Sequence, residues 1–182
     1  DICNNLSTLP QKKLQRMAYY NFIEVSGWLP AVAEKRWEKS LELYQAFQKI
    51  QNLQFTIQNF LVPHAPYSVS DNLWKLMRPL FSGKTISIHN QETIFEDDLF
   101  LSGTGDFNRM YRMMQMDTSF FTPTGKSSLQ SYIEKLDLAQ NVVLVHNTFM
   151  REEDVGAVSR QSSVVSQSFY YCLCVNANRY IE

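Results

Sequence analysis

The sequence lacks the features that mark several classes of protein. None of its apolar runs approaches the roughly 18 residues that a membrane-spanning helix needs. Residues 1–5 show neither the basic nor the apolar segment of a secretory signal peptide. The formal net charge is −1 at pH 7, which leaves no basic surface for nucleic acid. We therefore expect neither a membrane span nor a nucleic-acid partner.

Cysteine is also scarce, and its number argues against a disulfide-stapled fold. The chain has three cysteines, an odd number, so the simpler interpretation is a reduced protein of the cytoplasm. The composition itself is globular, with 45% hydrophobic and 13% aromatic residues. A length of 182 residues suits one domain, whereas a complete (β/α)₈ barrel typically takes about 250 residues.

Strand-like and helix-like segments alternate along the chain. Concentrations of β-branched and aromatic residues predict strands at Tyr19–Val25, Phe55–Val62, Thr85–Ile88, Asn141–Val145 and Ser168–Val175. Apolar periodicity and capping residues predict helices over 31–51, from an Asp71 cap to near Pro79, from Ser127 or Ser128 to Leu136, and over 152–158. Residues 96–112 are harder to assign, and the methionine-rich run of Met110, Met113, Met114 and Met116 is interpreted as a helical cover over the core. The alternation predicts an α/β fold with parallel strands, as a barrel segment or an open doubly wound sheet.

The chain has three histidines, and each stands at the end of a predicted strand. His64, His89 and His146 lie directly after a strand or within two residues of its end. In a β/α-barrel, the C-terminal ends of the strands form the face on which active sites are built. A single histidine is more often a hydrogen-bonded structural residue than a ligand. Three of them in separate strand–helix units favour a common site.

Two of these histidines have polar neighbours that suit catalysis or binding. Glu92 follows His89 by three residues. In a metal hydrolase, an imidazole can hold the ion while a carboxylate moves a proton from water to the leaving group. The structural alternative is a helical turn in which both side chains bind nearby backbone. His64 and Tyr67 lie on a turn containing Pro66, which suits either recognition of a flat polar substrate or a structural turn with a buried tyrosine.

Two glycine-containing segments do not indicate nucleotide binding. Residues 123–127 look like the end of a phosphate-binding loop, but Phe120 stands where that loop needs its first glycine, and no strand precedes it. A helix cap at Ser127 or Ser128 explains this segment better. Residues 103–105 likewise follow no predicted strand, which argues against a dinucleotide fingerprint.

Four segments together resemble the aminohydrolase and chlorohydrolase branch of the amidohydrolase superfamily. They are His64–Ser68, Ile86–Thr93, Val143–Thr148 and Cys174–Asn178, the last as a variant of the family's Cys-Pro-x-Ser-Asn. Their order and approximate spacing match across nearly the whole chain. Guanine deaminase, S-adenosylhomocysteine deaminase and the triazine hydrolases belong to this branch. The resemblance implies a deaminase-type enzyme that hydrolyses a C–N bond, with an amino-substituted heterocycle or related amine as its small-molecule substrate.

The resemblance also implies roles for the residues that carry it. His89 would be a metal ligand at the end of barrel strand 5, Glu92 the proton shuttle, and His146, after strand 6, a catalytic residue that orients the attacking water. The metal would be a divalent ion, zinc first, with iron or manganese as alternatives. His64 and Tyr67, after strand 4, would contact the substrate, and Asn178, after strand 7, would help shape the pocket.

The family's metal site needs more than this chain contains. It requires a His-x-His pair after strand 1 and an aspartate after strand 8, and no His-x-His occurs in the sequence. The resemblance therefore implies an internal fragment. Residues 1–182 would form a single incomplete barrel domain, from about strand 2 or 3 to strand 7, that is inactive alone.

Departures from the family pattern keep other hypotheses open. Phe149 stands where many relatives have a second histidine, and the segment after the last strand lacks the usual proline and serine. A degenerate barrel relative that binds a ligand or partner without hydrolysis is the alternative, and an unrelated open α/β domain is a third. An incomplete barrel would expose two sheet edges, so we also expect homo-oligomers, element swapping or aggregation.

Overall fold

The computed structural model describes residues 1–49 and 57–181. Its strands are β1 (Tyr19–Val25), β2 (Ile57–Pro63), β3 (Thr85–Asn90), β4 (Asn141–His146) and β5 (Ser168–Cys172). Its helices are α1 (Leu9–Lys13), α2 (Ala33–Gln48), α3 (Asp71–Met77), α4 (Ile94–Ser102), α5 (Asp106–Met113), α6 (Ser128–Tyr132), α7 (Glu152–Val165) and α8 (Val175–Ile181). Short 3₁₀ turns cover Pro30–Val32, Pro66–Ser68, Arg78–Phe81 and Ile133–Leu136. Strands therefore alternate with helices along the chain.

The strands are parallel and follow one another in chain order. β1 pairs with β2, and β3 pairs with β4, which pairs with β5. β2 and β3 lie side by side, and a hydrogen bond from His89 N to His64 O joins them at 2.9 Å. A parallel bridge from Ile2 to Phe22 adds a further strand position beside β1. An open doubly wound sheet reverses its strand order at a switch point. The described residues show no such reversal, and the order is consistent with part of a barrel.

One face of the sheet packs against the helices to form the main core. Ile23, Val25, Ile86, Val142 and Leu144 are essentially inaccessible to solvent. They form one cluster with helix residues that include Leu73, Met77 and Leu136. The other face has half-buried residues such as Phe22 and Phe60. Among the described residues, no helix combines the length and the apolar character needed to cross a bilayer.

Several element boundaries differ from the sequence predictions for local reasons. Ser70, not Asp71, caps α3, since its hydroxyl accepts from Leu73 N. α2 begins only at Ala33 because Pro30 opens a 3₁₀ turn instead, and it ends at Gln48. The predicted start of the second strand, at 55–56, and the predicted end of the first long helix, at 50–51, lie outside the described residues. Ser127 caps α6 as predicted, accepting from Gln130 N at 3.2 Å.

Larger differences occur around the last strand and the methionine-rich run. β5 ends at Cys172, and Asn178 lies in α8 rather than after a longer strand. Residues 94–113 form two helices separated by Gly103 and Gly105, both at positive φ. The prediction that methionines cover the core is wrong for Met113 and Met114, which are 78% and 63% exposed. Phe107 and Tyr111 of α5 make the packing contacts instead.

Candidate functional site

The three histidines meet at the C-terminal edge of the sheet. His64 directly follows β2, His89 is the penultimate residue of β3, and His146 is the last residue of β4. The ring centroids of His64 and His89 lie 5.1 Å apart, and so do those of His89 and His146. Because parallel strands end at the same edge, side chains from three separate units converge there.

Sequence reasoning missed a fourth member of this cluster, Glu24. It lies near the end of β1, and its Oε1 is 2.9 Å from Nε2 of His89. Its Oε2 accepts a hydrogen bond from Asn4 at 2.9 Å. Glu24 is the one charged residue of β1, whose other residues apart from Asn21 are aromatic or aliphatic. An acidic residue near the end of a predicted strand was the signal that could have identified it.

The Glu24–His89 pair shifts the pKa of both groups. Burial opposes ionisation of Glu24, but hydrogen bonds from His89 and Asn4 outweigh it and hold its pKa below the usual value. Burial alone would lower the pKa of His89, but the hydrogen bond and charge of Glu24 raise it above the usual value. The pair therefore favours an ionised carboxylate beside the imidazole.

His64 is held by the turn that follows it. Its Nδ1 lies 2.8 Å from the Ser68 hydroxyl, which also accepts from Ala65 N and donates to Ala65 O. Because the Ser68 hydroxyl donates its proton to Ala65 O, it accepts a hydrogen bond from Nδ1–H of His64, so that Nε2 of the neutral ring keeps its lone pair. Burial lowers the pKa of His64, which also favours the neutral ring.

His146 reaches the cluster through an unusual backbone conformation. It has φ +77°, and Asn147 has φ +61°. Register pairs His89 with Val145, so a regular strand would direct His146 to the opposite face from His89. The left-handed conformation accompanies a ring that instead stacks beside His89 at 27°. Non-glycine residues in this region of φ and ψ concentrate at functional sites.

Two polar side chains bracket the His146 ring. Nδ1 of His146 lies 2.9 Å from Oδ1 of Asn178, and Asn178 Nδ2 donates to the His146 carbonyl at 3.1 Å. Nε2 faces Oε1 of Glu92 at 3.4 Å. Asn178 thus orients the ring and presents Nε2 to Glu92. The predicted contact of Asn178 with substrate stays a prediction.

The cluster contains two sets of groups that could hold a metal ion. Ligand atoms of Glu24, His64 and His89 lie within 4.8 Å of one another, and so do those of His89, Glu92 and His146. His89 belongs to both sets. Its Nδ1 is buried without a hydrogen-bond partner among the described residues. Imidazole and carboxylate groups suit zinc, iron and manganese, so the donors fit a divalent transition metal.

A network of buried polar groups lies behind Glu92. Glu96 and Gln91 are fully buried, and Asp97 and Asp154 are 1% exposed. Gln91 Nε2 donates to Asp154 at 2.8 Å and to Asp97 at 3.2 Å. Burial raises the pKa of Glu96 to about 7. The sequence predicted none of this network.

Tyr67, Phe107 and Tyr111 form an aromatic wall beside the histidines. The Tyr67 ring stacks on Phe107 at 4.1 Å and lies 6.2 Å from the His64 ring. The Tyr111 hydroxyl donates to the Tyr67 carbonyl at 2.7 Å. Burial raises the pKa of the Tyr67 phenol, so it remains a neutral hydrogen-bonding group.

A cavity of about 500 Å³ behind Trp28 and Pro66 includes none of the three histidines, so it does not define the site.

Comparisons with known proteins agree with the fold. No protein-family model matches the sequence, and no curated protein matches it. Two crystal structures of Helicobacter pylori aminofutalosine deaminase are similar, each with a TM-score of 0.69 and 19% sequence identity. One of them is a complex with methylthio-coformycin. The match covers 99% of this chain but 45% and 46% of those chains, so this chain spans less than half of their length.

The structural neighbours are therefore deaminases, in agreement with the deaminase branch that the sequence resembles. At this identity, the likeness concerns the fold. It supports an α/β arrangement that is consistent with a partial barrel.

Proposed function

We propose that this chain is the middle part of a metal-dependent amidohydrolase, a deaminase-type enzyme that hydrolyses a C–N bond. One observation carries the proposal: imidazoles from three successive parallel strands meet with Glu92 and Glu24 at one sheet edge. A chance α/β domain has no reason to place its only three histidines there. We assign the strands to barrel positions 3 to 7, with the Ile2 bridge at the end of strand 2.

The chain's own residues would divide the work of hydrolysis. His89 would hold the divalent metal ion, with the remaining ligands outside this chain. When bound, such an ion makes water acidic enough to lose a proton near neutral pH. Glu92 would accept that proton and deliver it to the leaving nitrogen. His146, with Nδ1 bound to Asn178, would direct Nε2 toward the reacting atoms beside Glu92.

The substrate would be a small, flat amine, such as an amino-substituted heterocycle. His64 offers an imidazole fixed by Ser68, and Tyr67 offers a neutral phenol. The aromatic wall formed by Tyr67, Phe107 and Tyr111 provides a surface on which a ring could stack. The similarity of fold to a deaminase bound to an inhibitor supports this class of substrate.

A non-catalytic relative is the alternative, and the site does not favour it. The two departures from the family pattern, Phe149 and the segment 174–178, leave Glu92, His89 and His146 together. A protein that only binds has no need of a carboxylate beside the imidazoles in this arrangement.

The test is a Glu92→Gln substitution in the complete protein. Glutamine matches the size of glutamate but cannot shuttle a proton, so we expect turnover of amine substrates to fall by about 100-fold or more. Elemental mass spectrometry of both proteins should give the same metal content per chain, since His89 is unchanged. Ser102→Ala, an exposed change at the end of α4, is the control and should leave turnover unaltered.

Two outcomes would contradict the proposal. Turnover that persists in Glu92→Gln would remove the proton-shuttle role. A complete protein that holds no metal and releases no ammonia from any amino-substituted heterocycle would favour the non-catalytic alternative.

A further inference from the structure

A buried carboxylate holds the backbone of the turn that carries Glu92. Glu96 is fully buried in the first turn of α4. Its Oε2 accepts from Gln91 N at 3.1 Å, and its Oε1 accepts from Glu92 N at 2.8 Å. One carboxylate therefore binds two successive amides of the turn between β3 and α4.

The turn that Glu96 binds has a backbone conformation that needs support. Gln91 has φ +43°, in the left-handed region that non-glycine residues seldom adopt. Such conformations persist only where the surrounding structure determines them. Asp97 and Asp154 bind the Gln91 side chain, whereas Glu96 binds the backbone itself.

The surroundings of Glu96 suit a carboxylate that holds backbone amides. Its third hydrogen bond comes from the Ser128 hydroxyl at 3.1 Å. All three donors are uncharged, and Glu96 belongs to neither set of potential metal ligands in the described chain. Burying a carboxylate is unfavourable unless hydrogen bonds compensate. The two amides bind different oxygens of Glu96. A glutamine replaces one of these oxygens with an NH₂ group, which donates and cannot accept, so one of the two amides would lose its partner.

We propose that Glu96 is a positioning residue, which fixes the Glu92 carboxylate opposite His146 by binding the amides of Gln91 and Glu92. The functional part of this inference rests on the proposed proton-shuttle role of Glu92. Proton transfer depends steeply on geometry, and a displacement of about 1 Å can lower a rate by about 100-fold. Glu92 Oε1 lies 3.4 Å from His146 Nε2, and the turn sets where that side chain begins.

The first measurement is steady-state kinetics of Glu96→Gln in the complete, metal-loaded protein at pH 8. We expect kcat to fall by about 10- to 100-fold, with KM and metal content little changed, because substrate and metal contacts remain. Gln167→Ala is the matched control. Gln167 is also buried and donates to Leu136 O and Ala139 O, away from this turn. The Gln167→Ala substitution should leave kcat unchanged.

A double-mutant cycle separates positioning from general loss of structure. If Glu96 acts through Glu92, adding Glu96→Gln to Glu92→Gln should cause no further loss of kcat. A second full loss in the double variant would overturn the inference, because Glu96 would then act independently of Glu92.

Amide hydrogen exchange tests the clamp without relying on activity. In this chain, Glu96→Gln should speed exchange of the Gln91 and Glu92 amides by about tenfold or more, while the Val142 and Leu144 amides of β4 stay unchanged. Unaltered exchange at Gln91 and Glu92 would overturn the inference whatever the enzyme does. If Glu92→Gln alone keeps full turnover while exchange still rises, the proposed function fails and the clamp stands.

Discussion

At the residue scale, Glu96 should couple the stability of the fold to pH. Burial raises its pKa from 4.5 to about 7, so the folded state binds more protons than the unfolded state between those values. The stabilising contribution is complete below the unfolded pKa and is lost as pH rises through the folded one. We expect a loss on the order of 3 kcal/mol in the free energy of unfolding from this group.

Urea unfolding of this chain at steps from acidic to mildly basic pH would measure the effect. Glu96→Gln carries no titrating group there, so its free energy of unfolding should fall less steeply over the same interval. All other carboxylates titrate in both proteins and cancel in the comparison. Parallel pH profiles for the two proteins would contradict the prediction.

Single residues also show how far the sequence predicts the site. Strand ends locate His64, His89 and His146, because strand patterning and histidine scarcity are both visible in the sequence. The orientation of His146 was not predictable, since it depends on a left-handed backbone that strand alternation does not encode. Glu24 was not predicted as a site residue, because a single acidic residue in a strand indicates no site unless its neighbours on other strands are known. Whether these residues have the proposed roles stays a prediction.

At the scale of elements, Gly105 sets the direction in which α5 leaves α4. It has φ +85°, and a Cβ there would lie 2.8 Å from Cβ of Asp98. Gly105→Ala combines an unfavourable backbone with this clash, so we expect a loss of about 2–3 kcal/mol in the free energy of unfolding. The aromatic wall should loosen with it, because Phe107 and Tyr111 lie on α5.

Gly125→Ala supplies the matched comparison. Gly125 has φ +71° but nothing within 4 Å of an added Cβ. The substitution should therefore lower the free energy of unfolding by only about 1 kcal/mol, from backbone strain. Thermal unfolding followed by circular dichroism gives both values. Equal destabilisation by the two substitutions would show that contact with Asp98 does not fix the start of α5.

Elements also differ in how well local sequence determines them. β1 was predicted to the residue, because a dense run of aromatic and β-branched residues leaves little choice. β5 was predicted too long, since Val175 is as apolar as a strand residue but joins the helix that brings Asn178 to His146. The prediction that the methionines cover the core was wrong for a similar reason. Their apolar character does not determine which face of the helix is packed.

At the scale of the whole molecule, the parallel strands in chain order are consistent with part of a barrel. The face that carries Glu24 and His89 also carries the half-buried rings of Tyr20, Phe22 and Phe60. In a closed barrel these side chains would meet residues from the opposite strands. Alternation along the chain predicted the parallel strands. The same pattern could not predict whether the sheet closes into a barrel, because alternation does not encode how the first and last strands pair.

The exposed edge of the sheet, strand β5, leads to a prediction about assembly. β5 pairs only with β4 among the described residues, and its Tyr170 and Tyr171 are 55% and 45% exposed. An unpaired edge strand with exposed aromatic residues can pair with the same strand of another copy. We therefore expect this chain to form dimers or larger species, measured by sedimentation velocity over a range of concentrations.

Tyr170→Lys places a charge on the edge and should shift the distribution toward monomer, whereas Val164→Lys, at a 79% exposed site on α7, should not. A monodisperse monomer at every concentration would show instead that the edge is protected in solution, and the homo-oligomer proposal would fall with it.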